Sequence, residues 1–208
     1  MNKVPYSTIK DSLKTGDIVL FSGQYPISKT VQMLEGSKWS HVAMVVRLPE
    51  YEEPLLYEAT ALVNLPDLIT GDKITGPKIV NLKERLETYG SDLVPYEPPL
   101  YSVRKLSGAL PVDANDILLK TLKELHGLPN PDEWRMIYEV LLGRFLHIKT
   151  KLKDITCSGF IALSYERLGV LKGSMPINGY VPKDFSTDEK LKFVNHSFSD
   201  EILIDITK

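Results

Sequence analysis

Hydrophobic residues follow two patterns along the chain, and the change comes near residue 110. Before it, short apolar runs are separated by turn residues. Ile18-Val19-Leu20-Phe21 follows the Thr15-Gly16-Asp17 turn and stops at Ser22-Gly23, as a buried strand does. The run His41-Val42-Ala43-Met44-Val45-Val46-Arg47-Leu48 and the run Leu55-Leu56-Tyr57-Glu58-Ala59-Thr60 flank a polar break containing Pro49 and Pro54. That arrangement predicts an antiparallel hairpin. Ile79-Val80-Asn81-Leu82 and Leu100-Tyr101-Ser102-Val103-Arg104 are further strands, and a short helix over 27–34 closes at Gly36.

After Pro111 the apolar spacing becomes helical. Ala114, Ile117, Leu118, Leu122 and Leu125 predict a helix from an Asp113 N-cap towards His126-Gly127. A second helix, over 132–145, carries Trp134, Ile137, Tyr138, Leu141, Leu142 and Phe145. That stripe reads as core, with the wall of an acyl pocket as the other reading. A third helix starts at Cys157 and ends at Gly169, and Ile202-Leu203-Ile204-Asp205-Ile206 predicts an edge strand. The expected class is α+β, an antiparallel sheet with helices packed on it, as one domain over 1–208.

Composition narrows the function classes. The 208 residues are 43% hydrophobic and 25% charged, as in a folded globule. A net charge of −2 provides no overall basic field for nucleic acid, and Lys149, Lys151 and Lys153 read as a solvated face. The first ten residues contain no apolar stretch of the ~7–15 residues a signal peptide needs. No run reaches the ~20 apolar residues of a membrane span, so a soluble cytoplasmic protein is expected. The single cysteine, Cys157, excludes an intrachain disulfide or a multi-cysteine zinc site, and the four histidines show no ligand spacing. Neither metal nor cofactor is expected.

Cys157 is therefore a buried apolar group or a reactive one. It falls in the first turn of its helix, where unpaired N–H groups and the helix dipole favour a thiolate. A nucleophilic thiol needs a base and an orienting group. Among the histidines, His126 reads as a helix-end charge, His147 as surface and His196 as loop, which leaves His41 as the base by placement. Glu58 lies among apolar neighbours, where a carboxylate needs a partner. An odd-sum hairpin register brings Glu58 or Thr60 opposite His41 on one face. The alternatives are a sheet-edge histidine and a solvent-facing Glu58.

Thr156-Cys157-Ser158-Gly159-Phe160-Ile161 resembles the nucleophile motif of the NlpC/P60 superfamily of papain-like cysteine peptidases and amidases. With His41 and Glu58 preceding Cys157, the chain resembles the circularly permuted YiiX/YebB-like branch and, more remotely, lecithin-retinol acyltransferase-like enzymes. Gly16-Asp17-Ile18-Val19-Leu20-Phe21, Trp39-Ser40-His41-Val42-Ala43-Met44 and Tyr57-Glu58-Ala59 fit that order. The resemblance implies a permuted papain-like fold with a barrel-like sheet, and a triad of nucleophile Cys157, base His41 and orienter Glu58. Trp39, Ser40 and Thr156 are the expected substrate-binding neighbours. Thr156 stands where the family often has Asp or an aromatic, and Gly159 where YiiX-like members often have Glu.

The function expected is a cysteine amidase or peptidase that forms an acyl-enzyme with an N-acylated amino acid, lipid-linked substrate or small peptide. The alternatives are an acyltransferase or phospholipase A-like enzyme on the same triad, and a non-catalytic lipid- or peptide-binding module.

Overall fold

A computed structural model of the chain describes residues 3–97 and 99–207. Its centre is a seven-stranded sheet in the order β1-β9-β6-β2-β3-β4-β5. The strands are β1 (Val4–Pro5), β2 (Ile18–Ser22), β3 (His41–Val46), β4 (Leu55–Thr60), β5 (Gly76–Asn81), β6 (Leu100–Arg104) and β9 (Ile202–Asp205). A small second ladder pairs β7 (Leu106–Ser107) with β8 (Ser197–Phe198). Six helices accompany them: α1 (Tyr6–Ile9), α2 (Pro26–Glu35), α3 (Leu82–Thr88), α4 (Ala114–Leu125), α5 (Glu133–Leu146) and α6 (Cys157–Arg167).

Every residue of β3 and β4 is buried, because helices cover one face of the sheet and shorter segments the other. Side-chain alternation sorts the two faces. Val42, Met44, Tyr57 and Ile79 meet α4 and α6 through Leu118, Leu122, Phe160 and Ile161. Val19, Phe21, Ala43, Val45, Leu56 and Val80 pack with Tyr6, Ile9, Leu82 and Leu86 on the opposite side. Burial on both faces explains why these strands read as continuous apolar runs rather than alternating ones. Tyr57 stacks on Phe160, ring centroids 4.3 Å apart, and its hydroxyl lies 3.1 Å from Ser164 Oγ, which ties β4 to α6.

The helix and strands predicted in the first 110 residues form, except that Leu82 starts α3 and does not end a strand, and Gly36 ends α2 in the left-handed conformation, φ 57°. Four expectations change. The sheet is mixed, because β1 runs parallel to β9. It is open rather than barrel-like, with β1 and β5 as its edges. β9 is therefore an interior strand, held between β1 and β6, and not an edge. Finally, α5 is not core: only Glu139 and Gly143 are buried along it, while Trp134, Tyr138 and Phe145 stand exposed.

The reason for the last change is local. A Cβ on Gly143 would lie 2.5 Å from the backbone nitrogen of Gly179, so the helix docks through its smallest residue. Asn178 Nδ2 donates to the Glu139 carbonyl at 2.8 Å beside it. The apolar stripe is thereby turned outward. At the helix starts, Asp132 caps α5 by accepting the Arg135 N–H at 3.0 Å, whereas Asp113 makes no side-chain cap to α4.

Candidate functional site

β3 begins at His41 and α6 begins at Cys157, and the fold brings these two element starts together. The Thr156 hydroxyl accepts the Gly159 N–H at 3.0 Å, an N-cap that fixes the first turn of α6. Cys157 is half-buried. The His41 imidazole and the backbone N–H groups of Val42 and Ser158 lie close enough to the sulfur to favour its charged form. Burial favours the neutral thiol, but His41 and these donors outweigh it and hold the Cys157 pKa below its ordinary value.

His41 is buried and locked on its far side. Its Nε2–H donates to Glu58 Oε2 at 2.8 Å. The ring packs edge-on against Phe21, centroids 5.2 Å apart, and lies 5.7 Å from the Tyr89 ring. With Nε2 committed to a carboxylate that can only accept, Nδ1 is the nitrogen left to face Cys157. Burial works to lower the His41 pKa, but the thiolate and Glu58 raise it overall. The thiol and imidazole titrate as a pair, each favouring the other's charged form.

Glu58 is fully buried, which by itself raises a carboxyl pKa. Arg85 and His41 reverse this and hold it at about 2. Arg85 Nε donates to Glu58 Oε1 at 2.8 Å, and Arg85 Nη1 donates to Asn64 Oδ1 at 2.7 Å. Lys78, paired with Glu58 across the β4–β5 ladder, adds a second cation whose Nζ donates to the Leu62 carbonyl at 2.7 Å. The hairpin register pairs Met44 with Tyr57 and Val45 with Leu56, the odd sum expected from the sequence. Continued outward, it sets Glu58 opposite Ala43, so the carboxylate reaches His41 diagonally.

Arg85 and Lys78 are absent from the sequence reading, although a signal existed. Arg85 shares the inward helix stripe of Leu82 and Leu86, and Lys78 shares the face of Val80. A cation at a position where the pattern demands an apolar residue marks a buried partner.

The three expected substrate-binding residues separate. Ser40 and Thr156 line the cleft that ends at Cys157. The Ser40 hydroxyl is occupied, accepting the Gly23 N–H at 3.0 Å. Trp39 is placed elsewhere: it is fully buried in the core, and its Nε1–H donates to Glu201 Oε1 at 3.0 Å. Of the other histidines, His126 follows α4 with Nε2 3.6 Å from Asp72, His147 caps α5 in the left-handed conformation, and His196 hydrogen-bonds the Ala109 and Val194 carbonyls. None joins the site. A Cβ at Gly159 would lie 3.0 Å from Thr156 Oγ1 and 3.1 Å from the Ile177 carbonyl oxygen, so a side chain there would require both to give by a few tenths of an ångström.

The cleft above Cys157 has a volume of about 320 Å³. Its walls are α2 (Val31, Leu34), α5 (Ile137, Val140, Leu141) and the Val181-Pro182 segment. Glu35 is a polar exception; it accepts the Lys183 N–H at 3.1 Å. Burial, then the nearby thiolate, pushes its pKa up to about 8, so near neutrality it is an uncharged donor. Ionisation above pH 8 places a negative charge beside the thiolate. We expect the ratio of iodoacetate to iodoacetamide alkylation rates at Cys157 to fall roughly fivefold as pH rises through 8, about 1 kcal/mol of repulsion. In Glu35→Gln the ratio should stay flat; a fall there as large as in the wild type would assign it to another group.

No family model matches the chain, and no curated protein matches it. Among solved structures, the crystal structure of metalloprotein yiiX from Escherichia coli O157:H7 is similar, with probability 1.00, a TM-score of 0.48 and 22% sequence identity. The match covers 75% of this chain and 66% of that one, just under two thirds of its length. A similarity of that size leaves the reading of the site to the geometry above. Among the described residues, no group of three or more His, Cys, Asp or Glu is arranged to hold a metal ion. No helix among them is long and apolar enough to cross a membrane.

Proposed function

We propose that the chain is a thiol acyl-hydrolase of the permuted papain-like kind, with Cys157 as nucleophile, His41 as base and Glu58 as orienter. The observation that carries this reading is the division of the His41 ring, with Nε2 donating to a buried, ionised carboxylate and Nδ1 left for a thiol at a helix start.

The Cys157 thiolate attacks an acyl carbonyl, and the S–C bond forms as the oxygen takes up negative charge beside the N–H groups of the first turn of α6. The C–N bond then breaks, and the leaving amine takes its proton from His41 Nδ1. Water enters, gives a proton to Nδ1 and adds to the thioester. The C–S bond breaks, a carboxylic acid leaves, and the thiolate–imidazolium pair is restored. Glu58 and Arg85 keep the ring from turning during both proton transfers. The apolar cleft walls favour an acyl chain on the carbonyl side.

The same apolar walls support a second reading, transfer of the acyl group to an amine or a lyso-lipid instead of water. Both share the covalent intermediate. Incubation with a panel of N-acyl amides and acyl esters of graded chain length should give an intact-mass adduct of the acyl group on Cys157, discharged by hydroxylamine. Discharge by an added amine, with acyl-amine product, separates transfer from hydrolysis. Absence of an adduct from every member of the panel over pH 5–8 would overturn the enzymatic reading in favour of a binding module.

A further inference from the structure

Most of the outward stripe of α5 is left unused by the proposed chemistry. Trp134, Tyr138, Leu141 and Phe145 fall on one face at spacings of four, three and four residues. They are 82%, 61%, 48% and 69% exposed, and Leu146 is 63% exposed. Met33 and Leu34, at the end of α2 across the cleft, are exposed too. A monomer surface rarely carries so many large apolar side chains together without a partner. The inversion is built in: Gly143 and Glu139 fix the inner face, so α5 cannot roll its stripe inward.

Charge decides between occupants. The chain as a whole has a net charge of −2, yet between Val140 and Lys153 there is no carboxylate. Exposed Lys149, Lys151 and Lys153 follow α5 directly, interleaved with Ile148 and Leu152, which are 48% and 44% exposed. A second copy docking symmetrically on this face would cover the stripe, but the start of its α5 brings only Asp132 and Glu133 to meet three lysines. An anionic bilayer meets both features, taking the apolar stripe and the aromatic rings into its interface and pairing the lysines with lipid phosphates.

We propose that α5, the tip of α2 and the basic strap after α5 form a docking face for anionic phospholipid bilayers. Seated there, the cleft opens at the lipid surface, because Leu34, Leu141 and Phe145 belong to both the face and the cleft wall. The docking does not depend on the thiol chemistry.

The test is flotation of the full chain with vesicles of phosphatidylcholine alone and of phosphatidylcholine with 30% phosphatidylglycerol. We expect binding to the anionic vesicles, weakened by salt, with a blue shift in emission from exposed Trp134; buried Trp39 is a fixed background. Lys149→Gln/Lys151→Gln/Lys153→Gln should reduce partitioning about a hundredfold at low salt. Trp134→Glu/Leu146→Glu, neither of which lines the cleft, should abolish it, whereas Cys157→Ala should bind as the wild type does. Failure to float with anionic vesicles overturns the proposal, and a concentration-dependent dimer that Trp134→Glu/Leu146→Glu dissociates reassigns the face to a second copy. Equal binding to both vesicle types overturns the role given to the lysines.

Discussion

His41→Ala is expected to slow iodoacetamide alkylation of Cys157 at pH 6 by about tenfold to hundredfold. Without the imidazolium, the thiol reverts towards an ordinary pKa near 8.5, which leaves only about 0.3% thiolate at pH 6. The thiolate that does form is more basic and intrinsically more nucleophilic, with a Brønsted slope of about 0.4–0.5, so part of the loss is recovered. The Val42 and Ser158 N–H groups remain and keep the effect below its full electrostatic size. Intact-mass kinetics between pH 5 and 8 give the measurement, with Cys157→Ala as the blank. The wild-type profile should extend below the normal thiol range, because His41 stabilises the thiolate, and in His41→Ala it should move up towards that range. Profiles that coincide would make Cys157 a structural thiol.

Arg85→Leu is expected to cost about 3–5 kcal/mol, the range for leaving one member of a buried ion pair without its partner. For a chain of this size that is a fall in Tm of roughly 6–20 °C. The pH dependence carries the diagnostic sign. Glu58 is held at about 2 against an ordinary 4.5. Its contribution is therefore present above 4.5 and lost as pH falls from 4.5 towards 2, about 3 kcal/mol in all. His41 has the opposite sense: its pKa is raised, so its contribution is full below 6.5 and fades as pH rises above that. Removing Arg85 lets the folded-state Glu58 carboxyl titrate higher, closer to its unfolded value, so the acid-side loss between 4.5 and 2 should shrink. Thermal unfolding from pH 2 to 8 tests this. Glu58→Gln/Arg85→Leu should recover part of the loss and flatten the acid limb; a double variant as weak as Arg85→Leu alone would place the cost in packing instead.

The central hairpin and the Cys157 helix were legible because their signals are short-range. An apolar run between turn residues specifies a strand, and a C′ glycine, Gly169, marks where the helix that starts at Cys157 ends. His41 and Glu58 were legible because a hairpin register connects them without any other part of the fold. Arg85 was not, since its meaning depends on α3 lying across the Glu58 face, a contact with no counterpart in local spacing. α5 shows the complementary limit: periodicity reports that a stripe exists, and only the Gly143–Gly179 approach says which way it points. β9 was misplaced because the strand that covers its outer side is two residues long and contains Pro5, too little pattern to recognise.

Tyr57 and Glu58 are neighbours in β4, yet one stacks on Phe160 beneath α6 while the other, on the opposite face, holds His41. A one-residue slip of the hairpin exchanges these two directions, turning a carboxylate under the helix and a phenol towards the imidazole. Alkylation speed at Cys157 is thus a chemical clock for strand alignment. During refolding from denaturant, fast labelling should return only after β3 and β4 have found their alignment, later than the far-ultraviolet dichroism that any helical, misaligned intermediate would already show.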